Sequence, residues 1–102
     1  EMRMAVAHRL PHHDGKCRHL HGHTYVVRVY VRGPVQPVDE TNPHSGMVVD
    51  FGVLKAFLQN VEARLDHQLA NDTLDPYPTA ERMALAISHL AQSELQPHLP
   101  PD

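Results

Sequence analysis

The stretch HGHTYVVRVYVR, residues 21–32, carries the clearest secondary-structure signal in this chain of 102 residues. Its apolar side chains recur at every second position: Tyr25, Val27, Val29 and Val31. Arg28 and Arg32 fall on the alternate positions. Because successive side chains of a strand point to opposite faces, this alternation predicts a β-strand over 23–32 with one apolar face.

Two further strands are predicted on either side of this one. Residues 2–10 form a candidate strand that could pair with it in antiparallel fashion. Residues 33–45, rich in Pro, Asp and Asn, are predicted to form a loop that leads into a short strand at 46–49. The first half of the chain is therefore expected to contain three strands.

Helical periodicity begins where the strands end. Asp50 occupies an N-cap position, and apolar residues follow it at intervals of four, three and four: Leu54, Leu58, Val61 and Leu65. This pattern predicts a first helix that runs to about residue 67. Residues 70–78 have the composition of a turn.

A second helix is predicted to begin after Thr79, its N-cap, and to end before Pro97. Its apolar residues line one side: Met83, Ile87, Leu90 and Ala91. Three strands followed by two helices, with no repeat and no composition break, predict a single α+β domain over residues 1–102.

The composition argues against several classes of function. A formal net charge of -3 without any block of like charge disfavours electrostatic binding to nucleic acid or to a membrane surface. The sequence has no apolar run near the roughly 20 residues of a membrane span and no signal-peptide pattern. A single cysteine cannot form an intramolecular disulfide, so a cytoplasmic protein is expected.

The histidines at the start of the strand suggest a metal site. His21 and His23 lie two positions apart, so both side chains leave the same face of the strand, about 6.5–7 Å apart along the backbone. His8 could supply a third nitrogen if the first two strands are antiparallel neighbours. Three imidazoles are a ligand set of catalytic zinc sites, which keep one position open. Because the chain has ten histidines, a chance His-x-His is the alternative.

Cys17 allows three interpretations. It could be an inert small hydrophobe, a reactive thiolate stabilised by Lys16 and Arg18 in the polar loop 11–20, or a fourth metal ligand. Spacing alone does not decide among them. Its position four residues before His21, off the strand that directs the two histidines, favours a base over a ligand.

Several separated motifs resemble the 6-pyruvoyltetrahydropterin synthase family, in order and over nearly the whole chain. They are A-x-A-H-R-L-P around His8, C-x-x-x-H-G-H from Cys17, G-M-V-V-D-F from Gly46, L-D-H at 65–67, N-D from Asn71 and P-T-A-E from Pro78. The three-residue gap between the cysteine and H-G-H resembles the bacterial branch, 6-carboxytetrahydropterin synthase of queuosine biosynthesis.

The resemblance implies a tunnelling fold, in which each subunit contributes a small antiparallel sheet with two helices packed on one face. Subunits of the family join their sheets into a barrel, and two trimers stack into a hexamer. The active sites lie between subunits. A homo-oligomer of this kind is therefore expected.

The resemblance also assigns roles to individual residues. The histidines that match the family's zinc ligands are His8, His21 and His23. Cys17 matches the proton acceptor, and Asp66 and His67 match residues that relay protons. Two neighbours within a helix would point about 100° apart, and a helix-terminal Asp and His could simply meet solvent.

Glu81 and Thr79 are candidates for substrate binding. Glu81 would contact the pterin, although both residues also have a local explanation as the first-turn acid and the N-cap of the second helix.

The implied activity is that of a zinc-dependent lyase acting on 7,8-dihydroneopterin triphosphate. The carboxytetrahydropterin branch releases acetaldehyde and triphosphate, whereas the pyruvoyl branch loses triphosphate without cleaving the side chain. A non-catalytic homologue that binds zinc or pterin is the alternative from another class.

One expected element is missing from the sequence. Chains of the family continue past the second helix into a strand that carries a glutamate in an E-T motif, and no E-T pair follows the second helix here. Either the sequence is a shortened piece of a longer chain, or the domain lacks the C-terminal strand of the family.

Overall fold

Two antiparallel strands and two long helices form the body of the molecule in the computed structural model, which describes residues 1–100. In chain order the elements are β1 (Met2–His8), a 3-10 turn (Lys16–Arg18), β2 (His21–Val27), α1 (Phe51–Leu65), α2 (Ala70–Thr73), α3 (Ala80–Leu95) and a second 3-10 turn (Gln96–His98). This arrangement confirms the predicted α+β class.

The register of the two strands decides which side chains share a face. β1 and β2 pair antiparallel with His8 opposite His21, Val6 opposite His23 and Met4 opposite Tyr25. Directly opposed residues point to the same side of a sheet. Met4, Val6 and His8 are all buried, so this is the face that the helices cover.

Both predicted strands are shorter than their sequence patterns suggest. The strand predicted over 23–32 ends at Val27, because Val27 pairs with Met2 and β1 begins there. The strand predicted over 2–10 ends at His8, since the next amide group, of Arg9, donates to the side chain of Asn71 instead. Each strand therefore ends where its antiparallel partner begins.

The predicted third strand at 46–49 is wrong within the described residues. Gly46 has a φ of 76°, a left-handed conformation that turns the chain. The segment exchanges backbone hydrogen bonds with Gln36, through Gln36 N to Met47 O (2.9 Å) and Gly46 N to Gln36 O (3.0 Å), and the ladder does not extend into a strand. The predicted turn at 70–78 contains the single helical turn α2.

The two long helices begin as predicted. The Asp50 carboxylate accepts a hydrogen bond from Gly52 N (2.7 Å), and the Thr79 hydroxyl accepts one from Arg82 N (3.1 Å). α1 ends at Leu65 rather than near residue 67, because Asp66 is extended and His67 adopts a left-handed backbone with φ of 58°.

The core lies between the inner face of β1 and the two long helices. Its buried apolar members come from every helix and from β1: Met4, Val6, Phe57, Val61, Leu65, Ala70, Met83 and Leu95. The predicted apolar stripes of both helices face this cluster, with Leu54, Leu58, Ile87 and Leu90 half-buried against it. This packing holds the end of β1, and with it His8, in the protein interior.

Candidate metal centre and active site

The strand register brings the three predicted histidines together. The ring centroids of His8 and His21 lie 4.5 Å apart, and the ring of His23 lies 5.0 Å from each of them. Each ring offers a nitrogen, and these nitrogens all lie within 4.8 Å of one another. The geometry can hold a metal ion.

Hydrogen bonds to backbone carbonyls fix which ring nitrogen is available. His8 Nδ1 lies 2.7 Å from Pro78 O, and His21 Nδ1 lies 2.7 Å from His19 O. A carbonyl oxygen only accepts, so both Nδ1 atoms carry the proton and both Nε2 atoms carry a lone pair. Metal-binding histidines are commonly oriented by such bonds.

The available nitrogens are buried without a partner. Nε2 of His8 and Nε2 of His21 find no hydrogen-bond partner among residues 1–100. Leaving one buried acceptor unsatisfied costs about 1–3 kcal/mol. Because imidazole nitrogens are ligands for zinc and other transition metals, a bound cation fits this donor set and would satisfy both atoms.

The charge state of His8 suits a ligand. Burial lowers the pKa of His8, and the neighbouring His21 and His23 lower it further, while the hydrogen bond to Pro78 opposes the shift. The imidazole of His8 is therefore neutral at physiological pH, which is the form that binds a metal.

Cys17 lies outside the histidine cluster. It is half-buried in the 3-10 turn between the strands, and its carbonyl accepts a hydrogen bond from Leu10 N (2.8 Å). In the part of the chain that the structure describes, the group able to hold a metal contains the three histidines and not Cys17. This placement disfavours the fourth-ligand interpretation.

Asp66 and His67 contact each other directly, unlike neighbours inside a helix. Both lie beyond the end of α1, and Asp66 Oδ2 is 3.0 Å from His67 Nδ1. Asp66 Oδ1 accepts from Ala5 N (2.9 Å), and His67 N donates to Ala5 O (2.7 Å). The Ala5 amide, and after it the His67 ring, hold the pKa of Asp66 below its usual value.

This pair is bound to the edge of β1 through the backbone of Ala5. His67 lines an open concavity with residues that alternate with the inward-facing ones, Ala5, Ala7, Gly22 and Thr24, and also with Val6 and His23. Among residues 1–100, the group that could hold a metal contains neither Asp66 nor His67.

Thr79 and Glu81 occupy the start of α3. The Thr79 side chain caps the helix, as described above, and Glu81 is exposed in the first turn. Their local role is thus accounted for, and substrate binding by either residue stays a prediction.

The sequence did not reveal the carbonyls that orient the rings. Pro78 O and His19 O are backbone atoms, and no side-chain pattern marks them. The structural role of Asn71 was also not evident from the sequence. Asn71 links β1 to the segment before α3 through contacts with Arg9, which lies 62 positions away in the sequence.

The class of protein is defined by an α+β chain with a small antiparallel sheet, helices on one face and a three-histidine cluster at the sheet end. The chain belongs to the 6-pyruvoyl tetrahydropterin synthase family, whose model matches residues 1–100. The family processes pterins.

Among residues 1–100, no helix has both the length and the apolar character that a membrane span requires.

Individual relatives give the same result. The chain is 48% identical to 6-carboxy-5,6,7,8-tetrahydropterin synthase of Synechocystis, with 85% of this chain and 67% of that protein covered. It is 36% identical to the protein of that name from Bacillus subtilis, with 93% and 64% covered. The solved structure of Caenorhabditis elegans 6-pyruvoyl tetrahydropterin synthase superimposes with a TM-score of 0.72 at 29% identity, covering 91% of this chain and 74% of that one. The tunnelling fold is thereby confirmed.

Removing two imidazoles should abolish metal binding. In the double variant His21→Ala, His23→Ala only one imidazole of the cluster remains. The metal content measured by elemental analysis should therefore fall from about one ion per chain to a small fraction of that value. The double variant His89→Ala, His98→Ala, which removes two histidines outside the cluster, should keep the metal. Equal metal content in both double variants would refute the site.

Proposed function

We propose that the protein is a zinc-dependent 6-carboxy-5,6,7,8-tetrahydropterin synthase. It would act on 7,8-dihydroneopterin triphosphate and release acetaldehyde and triphosphate, a step in queuosine and other 7-deazapurine biosynthesis. The observation that carries the proposal is the pair of buried, unpartnered Nε2 atoms beside His23, in a chain 48% identical to a relative of that name.

Zinc is the proposed metal because three imidazoles with no thiolate match a catalytic zinc site that keeps an open position. Zinc bound to His8, His21 and His23 would supply a Lewis acid that polarises the hydroxyl groups of the substrate side chain. The remaining steps belong to side chains outside the cluster.

Cys17 is the proposed proton acceptor. It sits in the segment that joins His8 to His21, so it lies near the cluster in the chain without being part of it. A thiolate there would take a proton from the substrate side chain as triphosphate leaves. A cytoplasmic location belongs to the proposal, because the thiol must stay reduced to act as a base.

The Asp66–His67 pair is proposed to relay protons at a site formed by two subunits. The carboxylate holds the ring through His67 Nδ1, which leaves Nε2 free to exchange a proton with substrate. Since this pair is bound to the edge of β1 and does not belong to the imidazole cluster of its own chain, the pair of a neighbouring subunit would complete each site, as the family resemblance implies. This arrangement requires an oligomer.

The shape and surface of the chain support assembly. The molecule measures 58 × 23 × 17 Å, with a radius of gyration of 16.9 Å against about 13 Å for a compact chain of this length. Large apolar side chains are exposed at Tyr30 (86%), Val38 (84%) and Phe51 (85%). Exposed apolar surface of this kind is typical of subunit interfaces.

The family resemblance implies a hexamer, and we expect this assembly in solution. Light scattering coupled to gel filtration at micromolar concentration should give the mass of six chains of 11.5 kDa. A monomer under these conditions would contradict both the assembly and the shared active site.

Loss of the base should separate chemistry from metal binding. Cys17→Ala should lower turnover by about 10²–10⁴-fold, because general-base catalysis contributes that much, while the zinc content stays unchanged. Zinc analysis and turnover are measured on the same preparation. A variant that loses its zinc would show that Cys17 is a ligand instead.

The products of the zinc-loaded protein test the reaction. Incubation with 7,8-dihydroneopterin triphosphate should release acetaldehyde and triphosphate in equal amounts, since one cleavage of each kind occurs per turnover. Triphosphate without acetaldehyde would identify the pyruvoyl-forming reaction, which the likeness to the Caenorhabditis elegans enzyme favours as the second candidate. Binding of the pterin without either product would indicate a non-catalytic homologue.

A further inference from the structure

The side chain of Asn71 ties the end of β1 to the segment before α3. Its Oδ1 accepts from Arg9 N (2.9 Å), and its Nδ2 donates to Arg9 O (2.8 Å). Nδ2 also lies within hydrogen-bond distance of Pro76 O (3.2 Å). One carboxamide thus satisfies both backbone groups of the residue that follows His8 and reaches a carbonyl two residues before Pro78.

The two segments that Asn71 links also carry the two partners of one hydrogen bond at the histidine cluster. His8 belongs to the strand on one side, and Pro78, whose carbonyl holds His8 Nδ1 at 2.7 Å, belongs to the segment on the other. Pro78 is fully buried. The carbonyl can orient the ring only while these two segments keep their separation.

The far side of the segment is anchored independently of β1. Asp75 Oδ1 accepts from Tyr77 N (2.8 Å), and the Asp75 carboxylate binds the Arg82 guanidinium of α3 through two contacts of 2.8 and 3.0 Å. These bonds fix the segment to the helix. They do not reach β1. Among residues 1–100, the side chains that link this segment to the end of β1 and the residues after it are His8, through the bond to be oriented, His12, whose ring stacks on Tyr77 at 5.4 Å, and Asn71. The side-chain hydrogen bonds other than that of His8 itself come from Asn71.

We propose that Asn71 is a positioning residue for the metal centre. By clamping Arg9 to Pro76 it holds the Pro78 carbonyl against His8, which keeps Nε2 of His8 aimed at the ion. The proposal rests on metal binding by the three histidines. It assigns Asn71 no contact with the metal or with substrate.

The test is the zinc affinity of Asn71→Ala, measured by competition with a chelator on folded protein. Loss of the clamp should weaken zinc binding by about 10–100-fold, the range typical when a partner that orients a metal ligand is removed. Asn60→Ala is the matched control, because it removes an asparagine that bonds Glu94 (3.1 Å) between α1 and α3, away from the cluster. Its zinc affinity should equal that of the unaltered protein.

Two further measurements distinguish positioning from general loop stability. The visible spectrum of the cobalt-substituted Asn71→Ala protein should change, since a freed His8 ring alters the ligand geometry. Its melting temperature without metal shows whether it is folded. Should Asn71→Ala not fold, Asn71→Asp serves instead: it keeps the acceptor for Arg9 N, loses both donated bonds and is expected to weaken zinc binding too.

The outcomes separate this inference from the proposed function. The positioning role alone would be overturned if the unaltered protein binds zinc and a folded Asn71 variant has the same zinc affinity and the same cobalt spectrum. Failure of the unaltered protein to bind zinc or cobalt would overturn the metal site and the positioning role together.

Discussion

The antiparallel register of β1 and β2 is the constraint on which the rest of the structure depends. Pairing His8 with His21 places three imidazoles on one face, and a slip of one residue would turn His8 away from the other two. The same register points Met4 and Val6 into the core. Core packing and the candidate metal site therefore enforce the same alignment, and neither can change alone.

The histidine cluster contains two nitrogen atoms that have no hydrogen-bond partner. The Nε2 atoms of His8 and His21 are buried without partners, whereas each Nδ1 is bound to a carbonyl. An arrangement that fixes one nitrogen of each ring and leaves the other free costs stability in the metal-free chain. A bound ion would recover that stability, which fits a small domain with a limited core.

The end of α1 shows how backbone conformation brings two neighbouring side chains into contact. His67 adopts a left-handed conformation that is uncommon outside glycine, although histidine adopts it more readily than most residues, and this turn lets its ring meet the carboxylate of Asp66. Both residues are also bonded to Ala5 in β1. The edge of β1 thus holds the pair in place.

The sequence by itself determined the elements with strong periodicity and the ligand candidates. The alternation around Tyr25, the apolar stripes of the helices, the caps at Asp50 and Thr79 and the His-Gly-His spacing are local signals, and each was found in the structure. Only the tertiary structure decided where strands stop, how Asp66 and His67 face each other and what orients His8. Those features depend on pairing partners and backbone carbonyls distant in sequence, such as Pro78, 70 positions away, which no local pattern encodes.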